Sequence, residues 1–262
     1  MTEDPTYLRQ FETWRAERLR KLAAEDGWLN IIGRFWLEPG SVRVGTAPEN
    51  DIVLSAGPEH VGTITQHPDG AVSFEPADGS APLRLQLDKQ NPPRFSVGPL
   101  LLEVTTLEGR HALRVRDREA ASRQAPLDLR YFPLDPAWRK TAEWQVLDQP
   151  ITMTVDTVLG IPTEVTITHK AAFTHDGARY ELLPTHGTPE VPQFVLRDLT
   201  AKGETYPACR FLFGEEVTDR SIVLDFNKAI NPPCAFTEHA VCPLPPPENV
   251  LPIRIAAGEL KP

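Results

Sequence analysis

Ala171-Ala172-Phe173-Thr174-His175-Asp176-Gly177-Ala178-Arg179-Tyr180-Glu181-Leu182-Leu183 reads as two short extended runs joined by a two-residue turn. Asp-Gly is a strong hairpin signal, because the turn that matches strand twist needs positive φ at both central positions. The same pattern extends in both directions. Strand-like runs lie at 129–132, 141–149, 151–158 and 163–169 before the hairpin, and at 193–199, 210–213, 221–225 and 252–256 after it. Further upstream come 28–37, 41–45, 51–54, 62–66, 71–75, 83–87, 100–107 and 111–115, punctuated by Pro39-Gly40, Asp69-Gly70, Asp78-Gly79 and Glu108-Gly109. Only the N-terminus breaks the pattern. Leu8, Phe11, Trp14, Leu19 and Leu22 form one apolar stripe, with Asp4 as N-cap, Pro5 at the first helical position and Gly27 as the stop. Such a helix is expected to pack on its own domain. The reading is a mostly β protein with an N-terminal helix (1–26), a small β-sandwich-like module (27–120) and a β-barrel-like module with a proline-rich C-terminal loop (121–262). The join is expected in the charged, Ala-rich stretch 118–127.

Composition narrows the function. The 262 residues carry 27 Lys+Arg against 36 Asp+Glu, a formal charge of −9, and 40% are hydrophobic. That balance suits a soluble globular chain and disfavours a nucleic-acid partner, which needs a basic stripe. No apolar run is long enough for a membrane span, and Met1-Thr2-Glu3-Asp4-Pro5 has no signal-peptide character. The expected location is therefore the cytoplasm, with Cys209, Cys234 and Cys242 as free thiols.

The last 38 residues hold eight prolines, about twice the chain average, grouped around Asn231-Pro232-Pro233-Cys234 and Cys242-Pro243-Leu244-Pro245-Pro246-Pro247. Between Ala229 and Ile253 the only charged residues are Glu238 and Glu248. Proline fixes φ and removes an amide donor, so this loop is expected to be stiff, clamped between strands rather than offered as a flexible ligand.

A polar set surrounds it: Thr200, Thr205, Tyr206, Arg210, Asp225, Asn227, Asn231, Glu248 and Asn249. Arg210 opens one apolar run and Asp225 closes another, so both stand where strand meets loop. Two readings remain open. The set could bind a small polar or anionic molecule, since a guanidinium fork suits a carboxylate or phosphate. Alternatively Arg210 pairs with Asp225, and the asparagines cap a donor-poor loop.

Asp225-Phe226-Asn227-Lys228-Ala229-Ile230-Asn231-Pro232-Pro233-Cys234-Ala235-Phe236, with Cys242-Pro243-Leu244-Pro245-Pro246, Glu248-Asn249 and Ala257-Gly258-Glu259, resembles the family known as domain of unknown function 1684. Arg197-Asp198-Leu199-Thr200, Glu204-Thr205-Tyr206 and Arg210-Phe211-Leu212 are similar to its central motif. The resemblance implies glycine where this chain has Cys209, whose side chain would narrow the approach to Arg210. It implies positions, not a reaction. Separately, Gly45-Thr46 with Asn50-Asp51-Ile52-Val53-Leu54 resembles the forkhead-associated sandwich, but Thr46 and Pro58-Glu59-His60 stand where that family's phosphate contacts would be.

Other chemistries are less favoured. Cys234, His239 and Cys242 are spaced Cys-x4-His-x2-Cys, without the paired elements of structural zinc, so no metal is expected. A nucleophilic Cys234 or Cys242 activated by His239, in a hydrolase or transferase, is a third reading, short of a nearby cation. Neither a serine nucleophile elbow nor a nucleotide-phosphate loop occurs, so no cofactor is implied. Arg110, Arg114, Arg116, Arg118 and Arg123 read as one charged strand face and its turn, and Trp138 and Trp144 as core or barrel-rim residues.

Overall fold

The computed structural model describes residues 5–120 and 127–262, so Asp4 as N-cap, Arg123 and much of the expected join lie outside the described residues. The chain is mostly β, with one N-terminal helix, α1 (Pro5–Leu22), and two compact units. One unit comprises residues 18–126; the other combines 1–17 with 127–262. The helix stops at Leu22, short of Gly27; Phe11 and Leu22 of the expected stripe are buried, and Leu8 and Trp14 are half-buried, as is Tyr7. Leu19 is exposed.

The 18–126 unit is sandwich-like. One antiparallel sheet orders β1 (Ile31–Trp36), β9 (Arg110–Asp117), β8 (Leu100–Leu107) and β7 (Arg94–Val97). The other orders β3 (Ile52–Val53), β2 (Gly40–Gly45), β4 (Gly62–Gln66), β5 (Val72–Pro76) and β6 (Leu83–Leu85), with β2 and β3 parallel. Alternate residues such as Val44, Ile64 and Phe74 meet Leu102, Val104, Leu113 and Val115 in a single core, as period-two patterning requires. The opposite face of β8 and β9 carries the arginines. Arg94, Arg114 and Arg116 converge on the buried Glu103 carboxylate at 2.7, 2.7 and 3.2 Å. Burial pushes Glu103 up, and the three cations outweigh it, holding the group below its ordinary value.

The second unit is one antiparallel sheet of seven strands, ordered β12 (Ala178–Leu182), β11 (Thr163–His175), β10 (Arg139–Val155), β16 (Ser221–Asp225), β15 (Arg210–Glu215), β14 (Val191–Leu196) and β13 (His186–Thr188). It stays open: β12 and β13 end it without closing a barrel. The Asp176-Gly177 hairpin forms as expected, with φ of 50° and 78° at its two central residues. Pro150 does not break the strand around it. Residues 139–155 run continuously, and the register against β11 shifts between Val146 and Ile151, a bulge where a missing amide donor costs nothing.

The C-terminal segment covers the sheet. Phe226, Ala229, Leu251, Ile255 and Ala257 pack onto Trp144, Phe194, Leu196, Leu212 and Leu224. It runs through short 3-10 turns (Phe226–Lys228, Pro233–Ala235, Pro247–Asn249), as fixed proline φ angles favour. Two expected strands are absent here. Residues 252–256 are irregular, and 129–132 contribute only a bridge between Tyr131 and Glu259.

Candidate functional site

Arg210 is the centre of the predicted set, and it faces neither solvent nor Asp225. It is 1% exposed. One terminal nitrogen donates to the Asp198 carboxylate and, at 3.3 Å, to the Ile255 carbonyl; the other donates to the Ala257 carbonyl. The guanidinium thus holds the covering segment at two of its carbonyls, and the Ile255 carbonyl also accepts from the Ala257 amide at 2.9 Å. Asp198, part of the Arg197-Asp198-Leu199-Thr200 motif, is a partner that the predicted set does not contain. Its other oxygen accepts from the Thr200 amide at 2.6 Å and the Thr200 hydroxyl at 2.5 Å, and Thr200 meets Thr205 at 2.9 Å. Burial pulls the Arg210 guanidinium down, and Asp198 opposes it. An Asp two residues before a Thr at a strand end was the legible signal, since that spacing caps a turn.

Asp225 belongs to a different knot. Both its oxygens lie 2.9 Å from the Tyr7 hydroxyl of α1. Asn227 donates its amide and its side-chain nitrogen to Asp225 at 3.2 Å, and clasps Asp135 through both N–H and carbonyl. Asn231 donates its amide to the buried Glu259 at 2.7 Å and its side chain to the Leu260 carbonyl. Asn249 joins the Leu183 amide and carbonyl and the Val195 carbonyl, all at 2.8 Å. Gly258, with φ of +84°, passes so close that a Cβ would meet the Ala229 and Phe226 carbonyls at 2.6 and 2.8 Å. Glu248 is exposed and joins none of this among the described residues.

Tyr206 donates to the Cys234 carbonyl at 3.0 Å, and the Cys234 amide donates to Cys242 Sγ at 3.2 Å. Cys209 is buried, its thiol 3.6 Å from the Pro243 carbonyl. Among the described residues no hydrogen bond joins the His239 ring to either thiol, so the third reading, a Cys–His activation, has no geometry behind it there. No group of three or more His, Cys, Asp or Glu side chains among those residues could hold a metal. No described helix is long and apolar enough to cross a membrane.

An open concavity lies elsewhere on the same sheet. A cleft of about 420 Å³ is lined by Trp144, Val146, His169, Pro189, Glu190 and the 217–219 loop, and a pocket of about 60 Å³ beside it shares Trp144, His169 and Pro189 and adds His186. The His169 ring stacks on Trp144, 4.9 Å between centroids at 16°. Thr168 meets His169 Nδ1 at 2.8 Å and Thr185 meets His186 Nδ1 at 3.0 Å, so adjacent hydroxyls orient both rings. The Thr188 hydroxyl is the main influence holding the Glu190 carboxyl below its usual range, and His169 acts in the same direction. None of the lining residues is Lys or Arg.

A family model described as a protein of unknown function, DUF1684, matches residues 127–260. The chain belongs to that family. No curated protein matches. Among solved structures, an uncharacterized protein of Haloarcula marismortui, determined by solution NMR, is 26% identical over 54% of this chain and 80% of its own, with a TM-score of 0.44. The DUF1684 match spans the seven-stranded sheet and its covering segment, and so contains both the buried Arg210 network and the His169 cleft.

Proposed function

We propose that the DUF1684 region is a binding module for a small polar molecule, seated in the His169 cleft, and that the Arg210 network is the frame that holds it. The carrying observation is the stack of Trp144 on His169 beside Glu190 in an open cleft lined by no cation. Two carboxylates, Glu190 and Asp219, with imidazole and threonine hydroxyls favour a neutral, hydroxyl-rich or cationic ligand over an anion. Arg210 supports this division of labour by exclusion, since both its terminal nitrogens are already engaged by Asp198 and two carbonyls.

Proton–nitrogen NMR titration of the protein with a monosaccharide, putrescine and citrate tests the reading. We expect shifts confined to Trp144, His169 and the 188–190 turn with one of the first two probes, lost in His169→Ala and weakened in Glu190→Gln. Shifts with citrate alone, or shifts that survive His169→Ala, overturn it.

A further inference from the structure

The proline-rich segment brings two of the three cysteines together for no purpose the polar frame or the cleft supplies. Cys234 sits in the 3-10 turn Pro233–Ala235, half-buried; Cys242 is 2% exposed. The turn aims the Cys234 amide at Cys242 Sγ, 3.2 Å away, while Tyr206 fixes the Cys234 carbonyl on the other side. Cys242 is itself held by backbone bonds of its neighbours. Its carbonyl accepts from the Val158 amide at 2.9 Å, and Leu244 donates to the Asp156 carbonyl at 2.8 Å. Cys234 is thus the more exposed of the two, and Cys242 is buried on a fixed backbone.

We infer that Cys234 and Cys242 are a peroxide-reactive dithiol, Cys234 attacking and Cys242 resolving, which closes to a reversible disulfide. In the first step the Cys234 thiolate sulfur attacks a hydroperoxide oxygen. The S–O bond forms, the O–O bond breaks, and the leaving oxygen takes a proton to become water or an alcohol. In the second, Cys242 sulfur attacks the sulfenic sulfur of Cys234. The S–S bond forms, the S–O bond breaks, and hydroxide leaves as water with the Cys242 proton. The two thiols lose two electrons and the peroxide gains them. A thiol reductant reverses the change.

The electrostatics divide the roles in the same way. Hydrogen bonding by the Cys242 thiol is the main influence bringing Cys234 down to about 7 against the opposing effect of burial, with Tyr206 assisting. The same contact and burial drive Cys242 upward, and burial drives Cys209 upward. Near neutral pH the attacking form is therefore concentrated on one sulfur, and the thiolate is the nucleophile.

The test adds equimolar hydrogen peroxide to the reduced native protein and reads intact mass and peptide linkage. We expect loss of two hydrogens, a 234–242 crosslink and recovery with dithiothreitol. Cys242→Ser should stop at a sulfenic acid that dimedone traps, Cys234→Ser should lose the fast reaction, and Cys209→Ser should behave as wild type. In wild-type protein, Cys234 should alkylate about tenfold or more faster than the other two cysteines, a readout that needs no variant to fold. Survival of all three thiols, a crosslink through Cys209, or equal alkylation rates overturn the proposal.

Discussion

The Tyr7 hydroxyl lies 2.9 Å from each carboxylate oxygen of Asp225, a residue 218 positions away. It also accepts from Asn227 at 3.1 Å. One phenol therefore ties α1 to the turn that follows β16, and Phe11, stacked on Trp14 and edge-on to Tyr131, supplies the apolar half of that docking.

Tyr7→Phe keeps the ring and removes this tie. Hydrogen bonds to a charged group contribute about 1.5–3 kcal/mol, and that loss is the expected shift in urea unfolding. A change under about 0.5 kcal/mol would mean that Asn227, and the Lys228 ammonium 3.8 Å away, already satisfy Asp225.

The same contact has a pH signature. Burial, followed by the Asp225 charge, raises the Tyr7 phenol well above its ordinary value of 10.0. The folded chain thus keeps a proton that the unfolded chain releases, so the stabilisation is complete below that value and falls as pH rises past it. Tyr206 is raised in the same direction, chiefly by burial. Wild-type stability should decline above about pH 10, and Tyr7→Phe should flatten the decline without abolishing it.

Arg210→Ala leaves the Asp198 carboxylate buried without its cation, at an expected cost of about 3–5 kcal/mol. Adding Asp198→Ala should restore part of that loss, whereas Arg210→Ala and Asp225→Ala should add within about 0.5 kcal/mol because they share no partner. Denaturant unfolding of the two cycles distinguishes them. Strong coupling to Asp225 would contradict the geometry.

In the 18–126 unit, Glu103→Gln removes the charge that three arginines share, and should cost about 3–5 kcal/mol. Glu103 is held below its ordinary value, so its contribution is present above the unfolded value and lost as pH falls through the folded one. Acid unfolding followed by circular dichroism should lose its steepest segment in Glu103→Gln. An unchanged acid profile would count against this account.

What was legible in the sequence was local. The Asp176-Gly177 hairpin, the alternation of β8 and β9, and the stiffness of the proline segment follow from neighbours along the chain. Partners were not legible. Arg210 sits 12 residues from Asp198 and 47 from Ala257, and nothing in its own run says that carbonyls, not Asp225, await it. Pro150 misled for a related reason: proline forbids a ladder bond, but a bulge does not ask for one. Glu248 misled by its setting among buried residues, because the turn Pro247–Asn249 points Asn249 inward and leaves its neighbour outside. The His169 cleft was invisible because its walls come from β10, β11, the turn after β13 and the loop before β16, which only the sheet order assembles.

The Tyr7–Asp225 tie also sets an order of events during synthesis. Residues 18–126 are contiguous and can complete their core while the remainder is still being made. Residues 5–17 cannot. Phe11 and Trp14 wait for Tyr131, and Tyr7 waits for Asp225, made 218 residues later. At roughly 5–20 residues per second, that interval lasts on the order of ten seconds or more. This segment is thus made well before its partners, and its aromatic face is the stretch a chaperone would meet.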